Sequence, residues 1–228
     1  MVSVGIIGVG RMGRQLAEKL RGHFDLWLYD NDNKIAAATA DELSVHEARF
    51  EQLFDLEVLI LALPAEVMPE MVKRLAPSLS TKQILVNIAT NQKREPLQKL
   101  IAGETKVVSA KIVGHAREIA AGEAPTIIVD GDEGEETEKI SHIFWHFGTV
   151  QQGSEDLVEV LNTLASGEGI KAAYTIKKKM LQEGITLSLW ETAVRNVAAG
   201  TMKAFASGDV GPFASGIIRE MEDENDKG

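Results

Sequence analysis

The amino-acid sequence predicts an α/β fold: a doubly wound parallel sheet followed by a smaller all-helical domain. Three observations carry that expectation. In the first half, short runs that are apolar throughout alternate with amphipathic stretches. Strands apolar on both faces belong in a parallel sheet with helices above and below it. After about Gly153 the strand-like runs stop and long helical periodicity takes over. A chain of 228 residues then divides naturally into a first domain over 1–152 and a helical one over 153–228.

The elements follow in order. Residues 2–8 (VSVGIIG) read as a buried strand, and 11–21 as a helix with Met12, Leu16 and Leu20 at helical spacing. Residues 24–29 (FDLWLY) form a second strand ending at Asp30, 33–40 a short helix, and 43–45 a weak third strand. Residues 57–63 (EVLILAL) are a strong strand stopped by Pro64, and 66–75 a helix closed by Pro77. Strand and helix repeat at 83–88 and 93–101, and 106–109 and 126–129 supply further strands. Beyond them, 154–183 read as nearly continuous helix, with Leu157, Leu161, Leu164, Ile170 and Tyr174 on its apolar face. Gly184 is placed to stop it as a C′ residue. A second helix is expected to open at Ser188 with Glu191 completing a capping box, and Trp190, Val194, Val197 and Phe205 continue its apolar face. Gly208, Gly211 and Pro212 break the chain, and the acidic end at 220–228 is expected to fray.

Composition excludes several functions. The net charge of −10, from 24 basic and 34 acidic residues, argues against a nucleic-acid binder, which needs a basic face. With no cysteine, thiol catalysis, disulfides and zinc–thiolate sites are impossible. The longest apolar run, 58–65, is too short to span a bilayer. Residues 1–9 have no basic segment before them and end in a glycine loop instead of a cleavage site, so a cytoplasmic protein is expected. His142 and His146 lie four apart without a third ligand near them in sequence, and read as helix surface instead of a metal pair.

The strongest motif is Gly8-Val9-Gly10-Arg11-Met12-Gly13, which fits GxGxxG between an apolar strand and an amphipathic helix. That context is the dinucleotide fingerprint. Gly8 allows the tight turn, Gly10 lets the backbone approach a pyrophosphate, and Gly13 lets helix and strand pack closely. The free N–H groups of the helix start then face the negative charge. Arg11 and Met12 belong to the same loop. Asp30 closes the second strand seventeen residues past Gly13, where a carboxylate accepts from a ribose 2′-hydroxyl and repels a 2′-phosphate. The cofactor is therefore NAD or NADP, with Asp30 weighing toward NAD and Arg11 and Lys34 near enough in sequence to reach a 2′-phosphate. Ligands in open parallel sheets sit outside the carboxyl ends of strands. That places Ala62, Leu63 and Pro64 on the cofactor wall, together with Ala89, Thr90 and Asn91.

On these residues the chain resembles the pyrroline-5-carboxylate reductase family and its relatives, the deazaflavin-dependent NADP oxidoreductases and the 6-phosphogluconate dehydrogenase-like enzymes. The resemblance runs through GIIGVGRMG, DLEVLILALPAEVMPEMVKRL, ILVNIAT and LNTLASGEGIKAAYTIKKKMLQEGITLSLWETA. It implies a Rossmann domain followed by a helical dimerisation domain, a homodimer, and hydride transfer at a site between nicotinamide and helices of both subunits. Two segments depart from the family. Its Pro-Asn-containing loop after the sixth strand is here Ala110 to His115. Its Pro-Gly-Gly-Thr-type segment is here Ser207 to Pro212. Both departures lie on the substrate side, which puts pyrroline-5-carboxylate itself in doubt as substrate.

Candidate chemical groups follow from this comparison. Lys111 and His115 fall in the altered loop, where a histidine near neutral pKa can donate a proton to a nascent amine or alkoxide. His115 reads equally as a solvated loop residue, and Lys111 as a surface charge. Ser166 shares a helix face with Ile170 and Tyr174. Lys171, three residues past Glu168, reads more simply as a surface ion pair, although related hydroxyacid dehydrogenases carry a catalytic lysine on a comparable helix. Gly167 and Gly169 suggest close approach to a ligand or a partner helix. Lys177, Lys178 and Lys179 read as a solvated face. The expected function is a nicotinamide-dependent oxidoreductase acting on a small imine or carbonyl. The alternatives are a non-catalytic NAD(P)-binding sensor and a deazaflavin-linked NADP reductase.

Overall fold

The structure is a computed structural model and describes residues 1–225. Its backbone falls into two compact units, Met1–Thr163 and Leu164 onward.

The first unit is built on one eight-stranded sheet. Its strands are β1 (Ser3–Ile7), β2 (Asp25–Tyr29), β3 (His46–Glu47), β4 (Val58–Leu61), β5 (Ile84–Asn87), β6 (Lys106–Val113), β7 (Thr126–Asp130) and β8 (Thr149–Gln152). They lie in the order β3-β2-β1-β4-β5-β6-β7-β8. Every pairing is parallel except β6 with β7. The order reverses beside β1, at the switch point where open α/β sheets bind ligands. Helices α1 (Arg11–Leu20), α2 (Asn33–Leu43), α3 (Met68–Leu75), α4 (Arg94–Gln98), α5 (Ala116–Ala120) and α6 (Glu135–Trp145) connect the strands. This is the doubly wound fold expected from the alternation of apolar runs.

The two faces of the sheet make two cores. Val4, Ile6, Ile60, Val86, Val108 and Ala110 pack with Leu16 and Leu20 of α1, Ala40 of α2 and Phe144 of α6. Ile7, Leu59, Leu61, Leu85 and Val107 pack with Met68, Met71, Val72 and Leu75 of α3 and Leu97 of α4. Alternation along each strand sends neighbours to opposite cores, and each buried side chain of this size contributes about 1.5–3 kcal/mol.

Helix α7 (Asp156–Gln182) begins in the first unit and continues into the second. There follow a 3-10 turn at Leu187–Leu189, then α8 (Trp190–Thr192), a π-helical stretch at Ala193–Ala198, α9 (Ala199–Ala206) and α10 (Pro212–Asn225). Gly184, at φ 69°, takes the left-handed stop expected of it. Within the second unit the Trp190 indole N–H donates to Ala173 O at 3.1 Å. Leu164, Ile170, Tyr174, Val197 and Phe205 are all solvent-exposed in the chain by itself. Among the described residues no helix is long and apolar enough to cross a membrane.

Five local expectations are corrected. The third strand is His46–Glu47, because Leu43 ends α2 and Ser44, at φ 55°, turns the chain out of it. β6 runs on to Val113, through residues 110–113 read from sequence as part of a loop. β8 pairs with β7 at the sheet edge, where no strand was expected. Ser188 sits inside the 3-10 turn and its hydroxyl pairs with that of Thr186 at 2.9 Å, so no capping box forms. Of the acidic end, Glu220 to Asn225 continue α10, and residues 226–228 lie outside the described residues.

Candidate functional site

The turn from β1 into α1 is fixed by two of its three glycines. Gly8 has φ 97°, a conformation that favours glycine, and its N–H donates to Tyr29 O at 2.8 Å. A Cβ on Gly8 would stand 2.6 Å from Ala62 O, and one on Gly13 would stand 2.0 Å from Gly8 O. Both positions are closed by packing. Gly10 differs. As the residue before α1 it has φ −72° and ψ −166°, extended backbone open to any residue, and a Cβ there would meet nothing within 4 Å. The fold gives no reason for this glycine. A ligand that must come against the backbone does, because the unpaired N–H groups of α1's first turn start there.

Asp30 stands beside this turn and helps shape it. One carboxylate oxygen accepts from Val9 N at 2.8 Å, and the other from Asp32 N at 3.0 Å. A carboxylate has about four acceptor positions, so ribose hydroxyls can still be received. Asp32 caps α2 through Lys34 N at 3.0 Å. Arg11 and Lys34 are exposed, and Met12 packs against the first core.

The wall beyond the glycine loop is made by the ends of β4 and β5. Ala62 N donates to Ile7 O at 2.8 Å, which seats residue 62 against the loop. In register, Ile7 lies beside Leu61 and Leu61 beside Asn87, so the chain leaves both strands at one level. Leu63, Pro64, Ala65, Glu66, Ala89, Thr90 and Asn91 then enclose an open recess of about 320 Å³. Six of the expected cofactor-wall residues, from the two loops named in sequence, thus stand on or beside one surface.

Beneath that surface lies a buried polar network that the sequence did not reveal. Lys111 points from β6 to the α3 and α4 face and is 1% exposed. Its ammonium donates to Ala89 O, and to Gln92 O at 2.5 Å, and stands 3.4 Å from Glu155 Oε2. Glu155 precedes α7. It also accepts from Ser109 Oγ at 2.6 Å and from Arg94 N at 2.9 Å. Asp130 Oδ2 accepts from Glu155 N at 2.8 Å, and Asp130 Oδ1 from Arg94 Nε at 3.1 Å. Asn87 holds the turn after β5 from both sides, accepting from Ala89 N at 3.1 Å and donating to Gln92 O at 2.6 Å. Burial lowers the Lys111 pKa to about 8, against the opposing pull of Glu155.

Lys111 is therefore a strand residue with backbone partners, where the sequence reading put it in a loop. His115 is exposed and precedes α5, its Nδ1 accepting from Arg117 N at 3.4 Å. Ser166 and Lys171 lie in the second unit, both exposed, with Lys171 Nζ 2.7 Å from Glu168 Oε1. A Cβ on Gly167 or on Gly169 would meet nothing within 4 Å. Asn162 was not singled out by sequence. It donates to Ile112 O at 3.0 Å and ties α7 to the end of β6. No group of three or more side chains able to hold a metal ion occurs among the described residues.

Comparison with known proteins gives the same fold. Residues 3–91 match the family described as NADP oxidoreductase, coenzyme F420-dependent. The chain is similar to a pyrroline-5-carboxylate reductase from Coxiella burnetii, with TM-score 0.73 and 15% identity over 99% of this chain and 92% of that one. It is similar to the Plasmodium falciparum pyrroline carboxylate reductase with NADP bound, with TM-score 0.67 and 14% identity over 99% of this chain and 92% of that one. An imine reductase variant from Myxococcus stipitatus in complex with NAD+ matches with TM-score 0.62 and 16% identity, over 91% of this chain and 75% of that one.

Proposed function

We propose that this chain, whose residues 3–91 match an NADP oxidoreductase family, is a NAD(P)-dependent oxidoreductase. It passes hydride between a nicotinamide and a small imine or carbonyl substrate. The observation that carries the reading is Gly10: a glycine the fold does not require, at the amino end of α1, with open space before it. The loop N–H groups and the helix end bind the pyrophosphate. Asp30 receives the adenosine ribose and weighs toward NAD. The recess lined by Pro64, Ala89 and Thr90 takes the nicotinamide end. The reduced nicotinamide supplies the hydride, and the protein supplies placement, exclusion of water and a proton. His115 is a candidate for the proton, and Ser166 and Lys171 are, each by itself, candidates for substrate contacts.

The wider reading divides the chain into a dinucleotide domain over 1–152 and a helical substrate and dimerisation domain over 153–228. The exposed apolar residues of the second unit support a homodimer, and the reading places that homodimer in the cytoplasm. A second reading is favoured by the family matched at residues 3–91: the partner of the nicotinamide is a deazaflavin coenzyme. One screen decides between them. Turnover is measured with NADH and NADPH against cyclic imines, keto acids and the deazaflavin. Turnover of an imine or a keto acid supports the first reading, and turnover of the deazaflavin alone supports the second. No turnover with any of them, despite firm dinucleotide binding, overturns both in favour of a sensor.

A further inference from the structure

The wall of the recess depends on one buried cation. Residues 89–92 turn back over the end of β5, and Ala89, Thr90 and Asn91 of that turn face the recess. Carbonyl oxygens at both ends of the turn, those of Ala89 and Gln92, accept from Lys111 Nζ. Asn87 grips the same turn at Ala89 N and Gln92 O. Packing does not require a lysine here. The same face of β6 carries Val107 in the second core, and an apolar side chain of similar length would avoid the cost of burying a charge. The lysine does what an apolar residue cannot. It gives two inward-turned carbonyl groups a donor, fixing the shape of the turn from below.

We propose that Lys111 is a positioning residue of the dinucleotide site: it holds residues 89–92 in the shape that receives the nicotinamide end, with Glu155 as its countercharge. This rests on reading the glycine loop as a dinucleotide site. Its role is support of the wall, not proton donation to substrate. Ser109 and Arg94 fix Glu155, so the countercharge is itself anchored in β6 and α4. Around the ammonium stand Glu155, just before α7, Glu159 of α7 and Asp130 of β7, and Arg94 of α4 is paired to Asp130. The hold weakens as the ammonium loses its proton, and cofactor affinity falls with rising pH.

The test uses the full chain with NADH and NADPH as probes, titrated calorimetrically from about pH 6.5 to about pH 9.5. Thermal unfolding is followed in parallel. Lys111→Met alone leaves the buried Glu155 without its countercharge, so Lys111→Met/Glu155→Gln is the decisive variant. It is expected to fold, to bind about tenfold more weakly near neutral pH, and to lose the pH dependence of the unmodified protein. Lys111→Arg, which does not titrate in this range, is expected to recover part of the affinity and hold it at high pH. Wild-type affinity and pH profile in the folded double variant overturn the proposal. So does an unmodified protein whose affinity is the same across the range, which keeps the test decisive if the variants fail to fold. Should the unmodified protein bind neither dinucleotide at any pH, the glycine-loop reading fails first and takes this inference with it.

Discussion

Replacing Gly10 by valine separates binding from folding. The backbone at Gly10 has φ −72° and ψ −166°, and its Cβ would meet nothing within 4 Å. A side chain there restricts the unfolded chain, which stabilises by about 0.4–1 kcal/mol, and removes a favourable helix-start residue, which costs a similar amount. Folded stability is expected to stay within about 1 kcal/mol. Binding is another matter. The branched side chain stands before the N–H groups of α1 and keeps a phosphate from about 2.9 Å approach. Losing two charge-assisted hydrogen bonds at about 1.5–3 kcal/mol each weakens Kd at least about 100-fold. Gly13→Ala is the contrasting variant. Its Cβ would stand 2.0 Å from Gly8 O, a backbone atom that cannot give way, so α1 must move off β1. A loss of several kcal/mol of stability, on the order of 3, is expected. Circular-dichroism melting and calorimetric titration with NADH and NADPH read the two effects separately. A Gly10→Val protein that binds as tightly as its parent would refute the reasoning, and so would a Gly13→Ala protein that melts like its parent.

Three further outcomes are expected. On the proposed site Asp30→Asn removes a charge that would face a 2′-phosphate, and two charges against one at about 5 Å in water amount to about 1.7 kcal/mol. The ratio of NADPH to NADH affinity should rise about tenfold, and an unchanged ratio would show that Asp30 does not face the ribose. Lys111 loses its proton at about 8 in the folded chain and at its ordinary 10.5 in the unfolded one. The unfolded state binds more protons between those values, so this group makes stability rise with pH across that window. Urea unfolding at several pH values should show the rise in the parent and lose it in Lys111→Met. Phe205, 60% exposed in the chain by itself, should be covered in a homodimer. Phe205→Asp is then expected to give monomers by light scattering, whereas a well-folded monomeric parent at micromolar concentration would defeat the dimer.

What could be read from sequence follows the range of the interactions involved. The glycine loop was legible because its three glycines and the strand and helix around them are contiguous. The walls at Pro64 and Ala89 followed from strand ends alone. β8 escaped because it is an edge strand of sequence TVQQ, with no buried residue in it and no alternation to read. The outer half of β6 escaped because Lys111 interrupts an apolar run, and a lysine in such a place reads as surface. The network around that lysine joins residues far apart in the chain, Arg94 to Glu155 and Asp130 to Arg94. Only the fold brings them together. One sequence signal could have found it: Lys111 set among the apolar residues that follow Lys106 in KVVSAKIV, a charge that a buried strand accepts only with a partner.

Titration of the unmodified protein with NADH and with NADPH tests the central claim most directly. Saturable binding of one dinucleotide per chain is expected, with Kd in the micromolar range or below and competition by ADP-ribose, which shares the pyrophosphate. Absence of binding up to about 1 mM of either dinucleotide would contradict the account at its foundation, because Gly10 would then have neither a packing reason nor a ligand.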